Sequence, residues 1–465
     1  MERENWLPWA GLLFVFAVAS VMLYATSGPP KAPAEGTPRG EKAAKTPAKA
    51  AKKPVPKLTA RRPVGDRPAA SEGAHNVVFV VACAHRRDRW TPYGGDEMVT
   101  PFLDTFGAEG VIFDDVIAAS SWSKPAVTAL WTGQHAVDID MVEPGRKPNS
   151  RTLKPEVETL AKRLVAGGYY TMIVNTSPSI ARPGAGLFRG FDRVRDAHPQ
   201  GFQVKHRLRS LPAVEEALKM LDQRNEGEES RPFYLQLVLS ESHKPVQVPP
   251  DEYTPFASSD ERIAPYLATV NRFDRAVAAL DAGLEERGLA DDTLFVVVAD
   301  HGEGLGIPEA HGKAHGRGLY GSSVRVGWLM RGPSIPAGTT VSGLASGVDV
   351  MPTVLGLLDV EVPADLPGQD WSAQARGKKA ATTRKVAYAD TWFYGANRAS
   401  AWTSTHQCQR DFGSIDVKDQ FQDGCFDRGS DPDFVTPMKK ADLDEKLTAW
   451  RSARTASGVK GPRSE

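Results

Sequence analysis

The sequence predicts an α/β fold, a mostly parallel sheet covered by helices on both faces, followed by a small C-terminal α+β subdomain. Three observations carry this expectation. Short apolar runs rich in β-branched residues alternate with amphipathic stretches of helical period, the pattern of a sheet buried on both sides. The run Val77-Val-Phe-Val-Val81 ends abruptly in Ala82-Cys83-Ala84-His85 and a string of charges. Strands of open α/β sheets end this way where they deliver polar residues to an edge at which ligands collect. From about Lys379 the alternation loosens into short aromatic strands and a last charged helix over Lys439–Arg451.

Taken in order, the strands are expected at Asn76–Val81, Tyr170–Asn175, Phe233–Ser240 and Thr293–Ala299. Helices are expected at Thr100–Glu109, Glu156–Gly167, Pro212–Asn225 and Ala264–Gly288. The last sets Tyr266, Leu267, Val270, Phe273, Val277, Leu280 and Leu284 on one face, close to a 3.6-residue period. No internal repeat is apparent.

The N-terminal region has a different composition. Trp6–Ala25 is twenty residues without a charge, enough for one membrane-spanning helix with Trp6, Trp9 and Tyr24 near interface depth. A cleaved signal peptide is the rival reading. From Ser27 to Ala74 there are eleven Lys or Arg against four Asp or Glu and almost no large apolar residues, so this segment cannot build a core. It reads as a flexible linker, with an electrostatic tether to anionic polymer or lipid as the alternative. The expected organisation is residues 1–26 as anchor or signal segment, 27–74 as linker, 75–378 as the principal domain and 379–465 as C-terminal subdomain and tail. Net charge is zero, and no nucleic-acid partner is expected. Of three cysteines, Cys408 and Cys425 flank a loop containing Gly and Asp and could pair outside the cytoplasm, leaving Cys83 free.

The sharpest chemical cluster is FVVVADHGEGLG, Phe295 to Gly306. A buried strand ends in Asp300-His301 and turns on Gly302. A carboxylate and an imidazole at a strand end make a metal-binding pair when further ligands join them, and otherwise a hydrogen-bonded turn. His315 follows fourteen residues after His301, with another apolar strand behind it.

With these motifs assembled, the chain resembles the sulfatase family of the alkaline phosphatase superfamily over roughly Asn76 to Pro437. NVVFVVACAHRRDRWTPYGG resembles the family's opening strand and loop, and TPFLDTFGAEGVIFDDVIAASSWSKPAVTALWTG its approach to the nucleophile helix. SHKPVQVPP, ADHGEGLG, AHGRGLY and CFDRGSDPDFVTP resemble its later motifs. The resemblance implies the family's central mixed, mostly parallel sheet and an anionic ester substrate, a sulfate or phosphate ester. It also implies a divalent metal, usually Ca²⁺ in sulfatases and Zn²⁺ or Mn²⁺ in phosphate-handling relatives. Asp300 and His301 match metal ligands, Ser123 the nucleophile, and His315 the histidine assisting substrate and leaving group. His243 falls near a second substrate-side histidine, and Lys124 stands where it could face the anion. The family works mostly outside the cytoplasm. That favours a single-pass protein of the cytoplasmic membrane with its domain on the far side, although the positive-inside rule alone would hold the Lys-rich linker in the cytoplasm.

The chain also departs from the family. Its first strand should end in Asp, often Asp-Asp, to bind the metal; here it ends in Cys83-Ala84. Cys83 reads either as a small buried hydrophobe or as a thiolate that, with Asp300, His301 and nearby His85, would suit Zn²⁺ better than Ca²⁺. The maturation signal for formylglycine is Cys or Ser, any residue, Pro, any residue, Arg; Val127 occupies the Arg position, so formylglycine is not expected. Ser123 itself also reads as a plain helix N-cap with Pro125 behind it. Two functions remain open: a membrane-anchored hydrolase of sulfate or phosphate esters acting by metal-assisted nucleophilic attack through an impaired site, or a catalytically inactive sulfatase-like binding or scaffold protein of the cell envelope. Either way, Cys83, Ser123 and Asp300 are expected to meet at one sheet edge.

Overall fold

The computed structural model describes residues 68–456 apart from 143–150, 181–184, 198–208, 227–229, 258–260, 309–310, 381–383 and the single positions 245, 247, 416, 418, 420 and 435. The expected span Trp6–Ala25 and most of the linker lie outside the described residues. Among the described residues, no helix is long and apolar enough to cross a membrane.

Among the described residues, the principal sheet has nine strands: β1 (Asn76–Ala82), β2 (Val111–Ile117), β3 (Tyr170–Asn175), β4 (Arg193–Asp196), β5 (Phe233–Leu239), β6 (Thr293–Ala299), β7 (Arg325–Val326), β8 (Trp328–Arg331) and β9 (Thr339–Ser346). Their order is β4-β3-β5-β1-β6-β8-β2-β7, with β9 also paired to β2. β4, β3, β5, β1 and β6 run parallel, whereas β8 is antiparallel to both β6 and β2. Every residue of β1, β5 and β6 is buried. Successive side chains of a strand point to opposite faces, so both faces of the sheet centre are covered.

The longer helices are α1 (Pro101–Ala108), α2 (Ser123–Thr132), α3 (Leu160–Ala166), α4 (Ser210–Glu226), α5 (Ala264–Glu285), α6 (Val350–Leu357) and α7 (Ala441–Ala456). α1 and α4 pack against α5, while α2 contacts α3 and α6 in a second group. Helix ends depart from sequence expectation where side chains intervene. α3 begins at Leu160 rather than Glu156 because the Thr159 hydroxyl accepts the Lys162 amide at 3.2 Å and caps the helix there. α4 begins at Ser210, two residues early, where the Glu241 carboxylate accepts the Ser210 amide at 3.0 Å.

The C-terminal subdomain is an antiparallel sheet of β10 (Ala387–Thr391), β11 (Arg398–Trp402), β12 (His406–Asp411) and β13 (Gly424–Asp427), with α7 against β11 and β12. Cys408 and Cys425 face each other across β12 and β13 and form a disulfide, leaving Cys83 free. Arg428 ties β13 to β2 through both oxygens of Asp115, at 2.6 and 2.9 Å.

His135, just beyond α2, is buried edge-on against Trp450 of α7, ring centroids 5.4 Å apart. Burial first, then the Arg454 and Arg384 guanidinium groups, lower its pKa from 6.5 to about 3. The fold thus holds this imidazole neutral, while the unfolded chain takes up its proton near the ordinary value. The stability this contributes is complete above the unfolded pKa and is lost as pH falls toward the folded one. At about pH 5 the loss is roughly 2 kcal/mol. Urea unfolding near neutral pH and at about pH 5 should show His135→Phe losing less stability than wild type by about that amount. An identical pH dependence in both proteins would contradict this assignment.

Candidate active site

β1 and β6 pair in register to Ala82 and Ala299, so the next residues, Cys83 and Asp300, leave the sheet side by side. The ladder continues briefly: the Asp300 amide donates to the Ala82 carbonyl at 3.1 Å, and the Cys83 amide to the Leu239 carbonyl of β5 at 2.9 Å. Ala84 then turns with φ of 61°, a conformation costly for a residue with a Cβ. It is held from both sides, its amide donating to Asp300 Oδ1 at 3.0 Å and its carbonyl accepting from the Tyr266 hydroxyl at 2.9 Å. Asp300 Oδ1 also accepts the His301 amide at 2.7 Å. The other oxygen, Oδ2, is buried, receives no N–H or O–H donor among the described residues, and lies 3.5 Å from His301 Nε2.

The Cys83 thiol is fully buried against Asp300, Ser177 and Ser123. Burial, followed by the Asp300 charge and its hydrogen bond, raises the thiol pKa well above the ordinary value. Such a sulfur stays protonated when no cation is beside it. His85 is also fully buried, and both its nitrogens are engaged. Nε2 lies 2.7 Å from Ser242 Oγ, and Nδ1 accepts the Trp90 indole N–H at 3.2 Å.

Ser123 is carried in from β2. Trp122, in extended conformation, is the N-cap of α2 without a side-chain cap, and Ser123 is the first helical residue. The plain N-cap reading of Ser123 is therefore corrected. Released from capping, Oγ lies 3.0 Å from His301 Nε2. On the far side of the ring, Nδ1 lies 2.8 Å from the Gly302 carbonyl. A carbonyl can only accept, so Nδ1 carries the hydrogen and Nε2 receives the Ser123 hydroxyl. Burial lowers the His301 pKa against the opposing pull of Asp300, which keeps the ring neutral. Gly302 is required here, because a Cβ would collide with the Ser322 carbonyl. Val127, in place of the family's Arg, is fully buried in the core.

Two further histidines continue outward. The ring centroids of His301 and His315 are 4.5 Å apart, and those of His315 and His243 are 4.9 Å apart. His315 Nδ1 lies 2.9 Å from Oε2 of Glu303, a fully buried carboxylate with Lys244 Nζ 3.9 Å away. Burial alone would raise the Glu303 pKa; His315 foremost, with Lys244 and His301, outweighs it and holds the carboxyl below its ordinary value. A cavity of about 320 Å³ opens beside His315, lined also by Lys313, Arg317, Arg398, Tyr320 and Phe421.

Of the residues singled out from sequence, Cys83, Ser123, Asp300 and His301 meet in one cluster, with His315 tilted against His301 and His243 edge-on to His315. Lys124 is different: its ammonium donates to the Arg151 carbonyl at 2.6 Å. Glu303 was missed, although a carboxylate between two glycines directly after Asp300-His301 was a usable signal.

Cys83, Asp300 and His301 are the ligand set expected from the sequence. Among the described residues, no three His, Cys, Asp or Glu side chains are grouped so as to hold a metal ion. A hard cation such as Ca²⁺ needs six or more oxygens by the usual rule of about 6–8. Here the first strand ends in a thiol and a methyl group, Asp300 commits Oδ1 to two amides, and His301 Nε2 faces Ser123. The residues present do not fit the Ca²⁺ that the resemblance implies for a sulfatase.

A mixed, mostly parallel sheet, with a hydroxyl-bearing helix N-terminus and a file of histidines at its carboxyl edge, defines an alkaline phosphatase-like α/β protein. The sequence profile of the sulfatase family matches residues 75–360, and the chain belongs to that family. It is 24% identical over 340 residues to an ulvan-active sulfatase of Formosa agariphila, and the match covers 64% of this chain and 64% of that relative. The chain thus spans just under two thirds of that relative's length. An N-acetylglucosamine-6-O-sulfatase of Bacteroides thetaiotaomicron is 23% identical over 435 residues, with 70% of this chain and 75% of the relative covered. Among solved structures, a protein in complex with its substrate D-glucosamine-2-N,6-O-disulfate superposes with a TM-score of 0.68 at 20% identity, covering 84% of this chain and all of that one. The phosphonate monoester hydrolase of Agrobacterium radiobacter gives 0.64 at 17% identity, covering 84% and 99%. These structures share its fold.

Proposed function

We propose that the protein hydrolyses sulfate or phosphate esters with unmodified Ser123 as nucleophile. The observation that carries this reading is the Ser123 hydroxyl 3.0 Å from His301 Nε2, with the His315 ring beside that of His301, centroids 4.5 Å apart. Ser123 Oγ gives its proton to His301 Nε2 and attacks sulfur or phosphorus in line with the leaving oxygen. His315, oriented by Glu303 through Nδ1, presents Nε2 to that oxygen and donates a proton as the bond breaks. Water then gives a proton to His315 and displaces Oγ, which takes its proton back from His301 as inorganic sulfate or phosphate is released. His243 faces the remaining ester oxygens, and the N-terminus of α2 favours the anion there. The activities named for the sulfatase relatives support a sulfated substrate; the fold shared with a phosphonate hydrolase supports a phosphorus centre.

The reading extends to location. Trp6–Ala25 anchors the chain in the cytoplasmic membrane with its domain outside, and the Cys408–Cys425 disulfide supports an oxidising compartment. A second reading, a non-catalytic binding or scaffold protein of the envelope, is favoured by Cys83-Ala84 at the strand end and by Ser123 being only 2% exposed. Assays of the purified full-length protein with 4-nitrophenyl sulfate and 4-nitrophenyl phosphate separate the two. Saturable release of nitrophenol from either ester is the expected result. Saturable binding of both esters without release would establish the second reading.

A further inference from the structure

We propose that His301 is the general base of a metal-independent Ser123–His301 pair, standing where the family places a metal ligand. The inference rests on the reading of Ser123 as nucleophile and deepens it. Its starting point is the mismatch at the sheet edge. With Cys83 and Ala84 ending β1, one carboxylate remains, and half of it is bound to backbone amides. A nucleophile that cannot be activated by a cation needs a base within hydrogen-bond reach. His301 meets that requirement at 3.0 Å, and its tautomer is set by Gly302, whose carbonyl holds the hydrogen on Nδ1 and turns the Nε2 lone pair toward Oγ.

Asp300 supplies the third part. Among the described residues its buried Oδ2 receives no N–H or O–H donor, and the Cys83 thiol, a weak donor, is the one side chain that hydrogen-bonds this carboxylate. That oxygen lies 3.5 Å from Nε2. When the Ser123 proton arrives on Nε2, the orphan oxygen gains a cation beside it, and the imidazolium gains a counter-charge. Base, orienting carbonyl and stabilising carboxylate thus lie around one ring, all from the Asp300-His301-Gly302 tripeptide. In a serine–histidine–aspartate triad the aspartate holds Nδ1–H; here a carbonyl takes that place, and the aspartate lies on the Nε2 side.

An organophosphorus fluoridate tests the pair without requiring ester turnover. With diisopropyl fluorophosphate, Ser123 Oγ gives its proton to His301 Nε2 as the Oγ–P bond forms. The P–F bond breaks, and fluoride leaves with the electron pair. Full-length protein, dialysed against EDTA and kept in it, is incubated with the reagent and mapped by peptide mass spectrometry. One diisopropylphosphoryl group on Ser123 is expected, at a rate unchanged by adding Ca²⁺ or Zn²⁺. The group should be absent from Ser123→Ala, and labelling of His301→Gln should be slowed by about 10²-fold or more. Melting curves establish that each variant is folded; should His301→Gln not fold, the comparison of EDTA with added metal decides alone. No adduct in EDTA, or an adduct that appears only with added metal, overturns the proposal. Labelling without hydrolysis of either nitrophenyl ester keeps the pair and removes the ester-hydrolase reading; hydrolysis without labelling does the reverse.

Discussion

Ser123→Ala is expected to reduce nitrophenyl ester hydrolysis by at least ~10³-fold, the scale seen when a nucleophile acting with its base is removed. The fold should tolerate the change. Ser123 does not cap α2, Ala is the best helix former for its position, and the lost hydrogen bond to His301 is worth about 1 kcal/mol. Loss of turnover with little change in melting temperature therefore separates a chemical role from a structural one. Turnover that survives the substitution would remove Ser123 from the chemistry.

The second large effect is expected at Cys83. Cys83→Asp puts a second carboxylate beside Asp300 in a fully buried position. Without a cation, two adjacent buried carboxylates cannot both ionise, and the variant should lose on the order of 3 kcal/mol of stability. Added Ca²⁺ should then return much of it, since a ligand at 100 times its Kd stabilises the folded state by about 2.7 kcal/mol. Wild type should melt at the same temperature in EDTA and in Ca²⁺. A variant indifferent to Ca²⁺ would mean that the lost carboxylate is not what disabled the site. A wild type stabilised by Ca²⁺ would mean that the cation site still works.

The contrast between these two positions shows what the sequence made legible. β3 and β6 lie where their apolar runs end, because burial on both faces leaves no other reading of Tyr170–Asn175 or Thr293–Ala299. β2 was not legible. Its polar pair Asp114-Asp115 breaks the run, and its partners β8 and β9 come from far along the chain. Helix starts depended on single side chains such as Thr159, whose capping is local, and Glu241, whose contact with Ser210 is not. In the site, motif matching singled out Ser123, Asp300, His301 and His315, which lie together. It could not find the direction of the His301 ring, which is decided by one backbone carbonyl, or the burial of the Cys83 thiol beside a carboxylate. Lys124 was placed by adjacency to Ser123, but one residue along a helix turns a side chain by about 100°, and its ammonium ends at Arg151.

The most direct measurement is the divalent metal content of the full-length protein, purified without chelator and analysed by elemental mass spectrometry against protein concentration. A sulfatase-fold site that has exchanged its cation for a serine–histidine pair should carry no stoichiometric Ca²⁺, Zn²⁺, Mn²⁺ or Mg²⁺. One tightly held ion per chain, lost together with the Asp300→Asn substitution, would contradict it.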